Sequence, residues 1–247
     1  MNFKKHVIVV GGGASGMMAA ISARRQGADV TILERNPRLG KKILATGNGR
    51  CNFTNVNADV AYYHGGNPKF VYSALNNFSV DDTLRFFNKL GIAHKVESMG
   101  KVFPMSDQAS SILDVLLYEI NDLGINVVCN AYVKDITISN GVFTVKTETG
   151  EVYHGDRVII TTGGKAMPSS GSDGNGYDLA KKLGHTVRDI FPALVQLMLE
   201  GTFFKRIDGV KIVGTAGVIY NNKTLAEDRG DILFTDYGIS GPPVLQI

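Results

Sequence analysis

The chain has 247 residues, of which 44% are hydrophobic and 20% are charged. These values are typical of a globular protein with a sizeable core, in one large domain or one and a half. The net charge of +3 and the absence of a basic run argue against a nucleic-acid partner. No apolar run approaches the ~20 residues that span a bilayer, so we expect no membrane insertion.

The cysteines and histidines indicate neither a disulfide framework nor a metal centre. The two cysteines form no C-x-x-C pair, and the five histidines are scattered. The first apolar run is also too short for the core of a secretion signal. We therefore expect a cytoplasmic protein without a metal site.

An apolar run near the N-terminus, Val7–Val10, leads into a glycine-rich turn. Gly11, Gly13 and Gly16 form a G-x-G-x-x-G pattern, and a helix of small residues continues to about Gly27. Glycines at these positions permit a tight turn, close approach of a pyrophosphate, and close packing of helix on strand. The free N–H groups at the start of the helix would bind the anion. The pattern predicts a dinucleotide site.

A second predicted strand, Asp29–Glu34, supports this interpretation. Its last residue, Glu34, lies 18 residues after Gly16, a spacing typical of the carboxylate that binds a ribose hydroxyl. FAD and NAD both satisfy the pattern, so an NAD-dependent dehydrogenase remains an alternative. A glycine turn without a ligand is the other alternative, but strand, turn, helix, strand and acid all occur in order.

Further along, the chain alternates helical and strand patterns. We predict one helix from Pro68 to Leu90, a hairpin with its turn at Met99–Gly100, and a helix after Ser106. A β-meander follows over Val133–His154, with Asn-Gly at its first turn. A buried strand at Arg157–Thr162 and a short helix ending at Gly184 come next. After Pro192 strand patterns dominate, at Leu194–Leu199, Val210–Tyr220 and Ile232–Phe234.

These elements predict an α/β fold with two domains. Residues 1–192 would form a Rossmann-like dinucleotide-binding domain with a parallel sheet plus the β-meander. Residues 193–247 would begin a β-rich second domain. The loop over residues 43–55 has no helical or strand period and is rich in glycine and asparagine, which is typical of a ligand-binding loop.

Four motifs together resemble those of a known family, the BaiN-like flavoproteins, which include aminoacetone oxidase and bile-acid 4,6-reductase relatives. The motifs are Val9–Gly16, Leu44–Asn55, Thr161–Gly164 and Phe234–Pro242. The second, A-T-G-x-G-R-C-N-x-T-N, is much more discriminating than the glycine pattern. The likeness covers essentially the whole chain.

The resemblance implies FAD as cofactor, bound in a domain of the glutathione-reductase type that is interrupted by an inserted domain. It implies an oxidoreductase that exchanges a hydride between flavin and a small organic substrate, with NAD(P)H or oxygen as the second partner. It also implies that the chain should continue beyond Ile247, with a late G-E-x-x-D-x-D-G segment near the flavin. An inactive FAD-binding fragment is therefore an alternative. A tRNA-modifying flavoprotein shares the fold, but the weak net charge argues against it.

The resemblance also assigns cofactor contacts to particular residues, whereas no catalytic side chain stands out. By this resemblance, the pyrophosphate is held by Gly11, Gly13, Ala14, Ser15 and Gly16, with Thr162 and Gly163 returning close to it and Lys42 neutralising phosphate charge. The resemblance also implies that Glu34 binds the adenosine ribose beside Arg35 and that Val133 lies at the adenine. The residues that it places along the ribityl chain and flavin are Thr46, Gly47, Asn48, Gly49, Arg50, Cys51 and Asn52.

Two residues of that loop have alternative roles. Cys51 lacks a nearby partner cysteine, which argues against a dithiol relay. As a lone thiol it would contact the flavin or fill space as a small buried side chain. Arg50 would stabilise reduced flavin, bind a phosphate or form a structural ion pair.

Overall fold

The computed structural model describes residues 4–247. The chain forms two compact units, Met1–Val187 and Arg188–Ile247. The first three residues of the predicted first domain lie outside the described residues. The predicted domain boundary at residues 192–193 stays a prediction.

The described residues of the first unit form five α-helices and ten strands. Its helices are α1 (Ala14–Arg25), α2 (Tyr72–Asn77), α3 (Val80–Lys89), α4 (Ala109–Asp122) and α5 (Asn175–Lys182). Its strands are β1 (His6–Val10), β2 (Asp29–Leu33), β3 (Thr54–Asn55), β4 (His94–Val96), β5 (Lys101–Pro104), β6 (Asn126–Val128), β7 (Val133–Ser139), β8 (Val142–Thr147), β9 (Val152–Gly155) and β10 (Arg157–Ile160).

A parallel sheet with the strand order β10–β1–β2–β6 lies at the centre of this unit. Along β1, Val7 and Val9 belong to the apolar cluster formed with α1 and α4, whereas Ile8 and Val10 belong to the cluster formed with the meander and α5. Burial on both faces explains why this strand is continuously apolar. The predicted α/β fold, a parallel sheet plus a β-meander, is confirmed.

The meander is an antiparallel sheet of β7, β8 and β9. Its first turn is the predicted Asn140-Gly141, whose φ values of 50° and 79° are those of a two-residue hairpin turn. Since β10 follows β9 after a single residue, the meander delivers the chain directly back to the parallel sheet beside β1. The carboxyl ends of β1, β2 and β10 then meet at one edge, where ligands bind in such sheets.

The predicted single helix over residues 68–90 is wrong, because the segment breaks into α2 and α3. Phe78 leaves the helical region at φ −145° and ψ 86°. Ser79 then begins α3 with a capping box: its side-chain oxygen accepts the N–H of Asp82, and the Asp82 carboxylate accepts the N–H of Ser79. This reciprocal cap satisfies two N–H groups that a continuous helix would have used internally.

The second unit is an antiparallel sheet of β11 (Leu197–Met198), β12 (Lys211–Tyr220), β13 (Lys223–Thr235) and β14 (Gly238–Ser240), in the order β11–β14–β13–β12. Asn221 and Asn222 form the tight turn between β12 and β13, with φ values of 48° and 59°. The predicted strands at Leu194–Leu199 and Val210–Tyr220 contain or nearly coincide with β11 and β12, whereas for β13 the sequence predicts only Ile232–Phe234. That prediction is too short, because charged residues and glycine over 227–231 obscure the strand pattern.

The capping box predicts the effect of one substitution in α3. Ser79→Ala removes the side-chain acceptor for the Asp82 N–H, so it should lower the free energy of unfolding by about 1 kcal/mol. Urea denaturation would measure this change. The matched control is Ser22→Ala, an exposed position within α1 where alanine is at least as good a helix former. Equal stabilities of the two variants would contradict the prediction.

Candidate functional site

The glycine turn connects β1 to α1 at the ligand edge of the sheet. Gly11 has φ +104°, and a Cβ built on it would lie 2.6 Å from the carbonyl oxygen of Thr161. A Cβ on Gly16 would lie 1.8 Å from the carbonyl oxygen of Gly11. Both distances are far below van der Waals contact, so these two glycines are required by packing between the turn, α1 and β10.

Gly13 differs from its neighbours because its missing side chain faces open space. No heavy atom lies within 4 Å of a Cβ built there, and the residue lines a cleft at the edge of the sheet. Its φ of −77° and ψ of −171° are ordinary extended values. Glycine at this position is therefore not needed for the protein's own packing, which leaves access for a ligand.

The N-terminus of α1 has the electrostatic character of an anion site. No side chain caps it, and its first turn carries no acidic residue, whereas Arg24 and Arg25 lie in its last turn. The N–H groups of Ala14, Ser15 and Gly16 precede the first backbone bond of the helix, from Met17 to Gly13, at 2.9 Å. Twelve residues of aligned peptide dipoles make this end attractive to phosphate.

Glu34 follows β2 and is 6% exposed. Its Oε2 accepts the N–H of Gly12 at 2.7 Å, and its Oε1 accepts the backbone N–H and the side-chain amide of Asn36 at 2.8 and 2.7 Å. A carboxylate has about four acceptor positions, so Oε2 keeps one for a further donor. That position is available to a ribose hydroxyl.

A cleft at the carboxyl ends of β1, β2 and β10 collects many of the predicted cofactor residues. The unfilled space of about 520 Å³ at this edge includes open solvent, so the cleft is open rather than enclosed. The predicted residues in its lining are Gly11, Gly13, Glu34, Arg35, Lys42, Val133 and Thr162. Lining residues that the sequence did not indicate include Asn36, Gly40, Lys41, Ala131, Tyr132, Thr161, Ser170, Gly171 and Asn175.

Long side chains from the turn after β2 fasten one wall of this cleft. The Asn36 amide donates to the carbonyl of Ser170 at 3.1 Å, and Lys41 Nζ donates to the carbonyl of Ser169 at 2.6 Å. Arg35 pairs with Asp173, and its guanidinium carbon lies 4.6 Å from the centroid of the Tyr132 ring. The contacts with Ser169, Ser170 and Asp173 join segments more than 125 residues apart, which sequence patterns cannot detect.

Other predicted cofactor residues do not line this cleft in the described structure. Some lie close to it, because Ala14, Ser15 and Gly16 form the first turn of α1, and Gly163 follows Thr162. The predicted flavin loop is a separate segment of short helical turns, with left-handed φ values at Gly47 and Asn48. The remaining residues outside the lining are Thr46, Gly47, Asn48, Gly49, Arg50, Cys51 and Asn52.

Cys51 is buried in the apolar cluster below this loop. Its side chain packs in the same cluster as Ile43 and Leu113, and its N–H donates to the Thr46 carbonyl at 3.0 Å. Burial raises the pKa of the Cys51 thiol, so the neutral form dominates near neutral pH. This environment favours the space-filling interpretation over a reactive thiolate.

Arg50 takes part in an ion-pair network with the hairpin β4–β5 and the turn after it. Its guanidinium donates to both carboxylate oxygens of Glu97 at 2.8 and 3.2 Å and to Asp107 at 3.2 Å. Its carbon lies 4.0 Å from the ring centroid of Phe103. Lys95 Nζ bridges the same two acids, 2.5 Å from Asp107 and 3.3 Å from Glu97. The structural ion pair is therefore present.

Two further features concern the described residues, 4–247. Within this range, no group of three or more metal-binding side chains is placed to hold an ion. None of the helices in the same range has the length and apolar character that a membrane crossing requires.

Comparison with known families gives a match over nearly the whole chain. Residues 5–236 match the model described as the HI0933-like protein Rossmann domain. The chain belongs to this family. The resemblance inferred from the four motifs is confirmed, because the chain is 43% identical over 241 residues to the 3-dehydro-bile acid delta(4,6)-reductase of Clostridium scindens.

Another relative and a fold neighbour extend this comparison. The chain is 33% identical over 241 residues to the ribosomal RNA dihydrouridine synthase of Escherichia coli. These alignments cover 97% of the chain but only 58% and 59% of the two relatives. An open-conformation flavocytochrome c3 fumarate reductase shares the fold with a TM-score of 0.61 and 19% identity, over 85% of this chain and 47% of that one.

The different surroundings of the glycines predict effects of very different size for a single added methyl group. Gly16→Ala should lower the free energy of unfolding by about 3 kcal/mol, because the methyl group collides with backbone. Gly13→Ala should change it by less than about 0.5 kcal/mol, because space is open there. Thermal and urea unfolding without ligand would compare them. A large destabilisation by Gly13→Ala would show that this glycine serves packing.

The Arg50 network predicts a pH dependence. Hydrogen bonds from Arg50 lower the pKa of Glu97, and the hydrogen bond from Lys95 lowers the pKa of Asp107. A carboxyl group whose pKa is lowered in the folded state stabilises the fold at pH values above its ordinary pKa of about 4. This stabilisation is lost as the pH falls through the lower pKa of the folded state. The Glu97→Gln variant should therefore have a lower melting temperature than wild type at pH 7, and the difference between the two melting temperatures should vanish in acid. A difference that persists unchanged to pH 3 would contradict this.

Proposed function

We propose that the chain binds FAD, with the pyrophosphate at the N-terminus of α1 and the adenosine ribose at Glu34. The observation that carries this proposal is the uncapped helix end beside Gly13, whose missing side chain leaves open space in the cleft. The spare acceptor position on Glu34 Oε2 supports the ribose contact. Membership of the HI0933-like family favours a flavin over a nicotinamide dinucleotide at this site.

Charge in the cleft also fits a dinucleotide diphosphate. Lys42 lines it beside the free N–H groups of α1, and opposite charges strengthen phosphate binding. Arg35 also lines the cleft, but its charge is already paired with Asp173. Val133 and Tyr132 supply an apolar wall on the meander side. We assign this wall to the adenine ring and the loop Thr46–Asn52 to the ribityl chain and flavin.

We further propose that the whole protein is an FAD-dependent oxidoreductase that reduces a carbon–carbon double bond conjugated to a carbonyl group. FAD supplies hydride transfer when bound, and the protein supplies its position and surroundings. Two relatives support this reaction class. A 3-oxo steroid with Δ4 and Δ6 double bonds and a uracil ring both contain such a double bond, and the relatives' names state reduction or a dihydro product.

A small organic substrate is favoured over RNA. The chain has 26 basic and 23 acidic residues, which gives little electrostatic attraction for a phosphate backbone. It is also more similar to the bile-acid reductase, at 43% identity, than to the ribosomal RNA enzyme, at 33%. For this reduction NADH or NADPH would supply the two electrons that the double bond accepts. Oxygen would be the electron acceptor only if the organic substrate were oxidised instead.

The cofactor assignment is tested by calorimetric titration of the 247-residue chain with FAD and with NAD side by side. FAD should bind more tightly, and Gly13→Ala should weaken it at least about tenfold because its methyl group occupies the pyrophosphate approach. The matched control is Gly66→Ala, where a Cβ also meets open space but lies outside the cleft. Tighter NAD binding would favour a dehydrogenase.

The reaction is tested on FAD-loaded protein under nitrogen. NADH or NADPH should bleach the flavin absorbance, and a 3-oxo-Δ4 steroid should restore it faster than a uridine-containing RNA does. Restoration by the RNA alone would overturn the substrate class. Bound FAD that no donor and no substrate changes would mean that this chain is an FAD-binding fragment without turnover.

A further inference from the structure

The predicted flavin loop and the hairpin beside it contain the two most unusual backbone conformations among the described residues. Cys51 and Met99 have φ values of 61° and 60°. Every other residue with positive φ among residues 4–247 is a glycine, an asparagine or an aspartate. Such conformations cost roughly 1–3 kcal/mol each and persist only where surrounding contacts impose them. Strain of this kind is concentrated at ligand-binding sites.

Both strained residues flank the Arg50 network. Cys51 directly follows Arg50, and Met99 lies two residues after Glu97. The Arg50–Glu97 contact is bidentate, at 2.8 and 3.2 Å, so it fixes the orientation of the guanidinium as well as its distance. The network therefore connects one strained segment directly to the other.

Phe103 on β5 completes this connection. The Arg50 guanidinium lies over its ring at 4.0 Å, and a Cβ built on Gly47 would lie 3.0 Å from the ring edge. The Asn52 side chain also accepts the N–H of Val102 at 3.3 Å. Arg50 and Asn52 are thus both fastened to the same strand.

The charges in the network balance internally. Two cations, Arg50 and Lys95, face two carboxylates, Glu97 and Asp107, at 2.5 to 3.3 Å. The charge of Arg50 is neutralised by these acids, so it contributes little to the stabilisation of an anionic ligand. This arrangement suits a residue that holds a loop.

We propose that Arg50 is a positioning residue, which through Glu97 and Asp107 holds the loop Thr46–Asn52 in the strained shape that contacts FAD. The inference rests on the proposed function, because the loop is assigned to the flavin there. It replaces direct contact between Arg50 and the cofactor with an indirect role through the backbone of the loop.

The decisive comparison is the effect of Glu97→Gln on FAD affinity. If Arg50 touched the cofactor, loss of the competing carboxylate would free its charge and strengthen binding of the anionic FAD. A positioning role requires the opposite sign, so Arg50→Gln and Glu97→Gln should each weaken binding by about fivefold. The double variant should be no weaker than either single variant, because both remove the same connection.

Hydrogen exchange without ligand gives a second, independent readout. The Arg50 and Cys51 amides, bonded to the carbonyls of Gly47 and Thr46, should exchange faster by about the same factor in all three variants. The matched control is the pair Arg25–Glu119, which has equally short contacts of 2.8 and 3.1 Å between α1 and α4. Arg25→Gln should leave loop exchange and FAD affinity unchanged.

The outcomes separate this inference from the proposed function. Wild-type chain that fails to bind FAD would overturn the proposed function, and the exchange rates would still decide whether the network holds the loop. Unchanged loop exchange in Glu97→Gln, or tighter FAD binding by that variant, would overturn the positioning role alone. Full restoration of affinity by Arg50→Lys would also overturn it, since lysine keeps the charge but lacks the bidentate geometry.

Discussion

The close approach of α1 to the ends of β1 and β10 is the constraint on which the candidate site depends. It requires the absence of side chains at Gly11 and Gly16, where backbone meets backbone. Because the turn is pressed against Thr161, the hydroxyl of that residue can donate to the Gly11 carbonyl at 2.8 Å. The helix end is thereby held in one orientation at the edge of the cleft.

Glu34 adds a second function to this frame. In the absence of ligand it accepts donors from both the glycine turn and Asn36, so it contributes to the shape of the site that it is proposed to complete. A carboxylate that is already hydrogen-bonded needs little reorganisation when a hydroxyl arrives. Preorganisation of this kind lowers the entropy lost on binding.

The features that sequence analysis predicted are local in the chain. The strand, the glycine turn, the helix and Glu34 follow one another within about thirty residues, and their spacing carries the chemistry. The break at Phe78 is also local, but the helical periodicity on either side concealed it. The contacts of Asn36, Lys41 and Arg50 could not be predicted, because each depends on a partner brought near only by the tertiary fold.

The strand order has a consequence for when the cleft can form during synthesis. β1 lies between β2 and β10, so the first strand to leave the ribosome has one neighbour that is made about 150 residues later. Residues as distant as Gly11 and Asn175 also share the cleft lining. Contacts of such long sequence separation form slowly. The cleft is therefore completed only after β10 and α5 have been made, and any ligand that needs the whole lining would bind after that point.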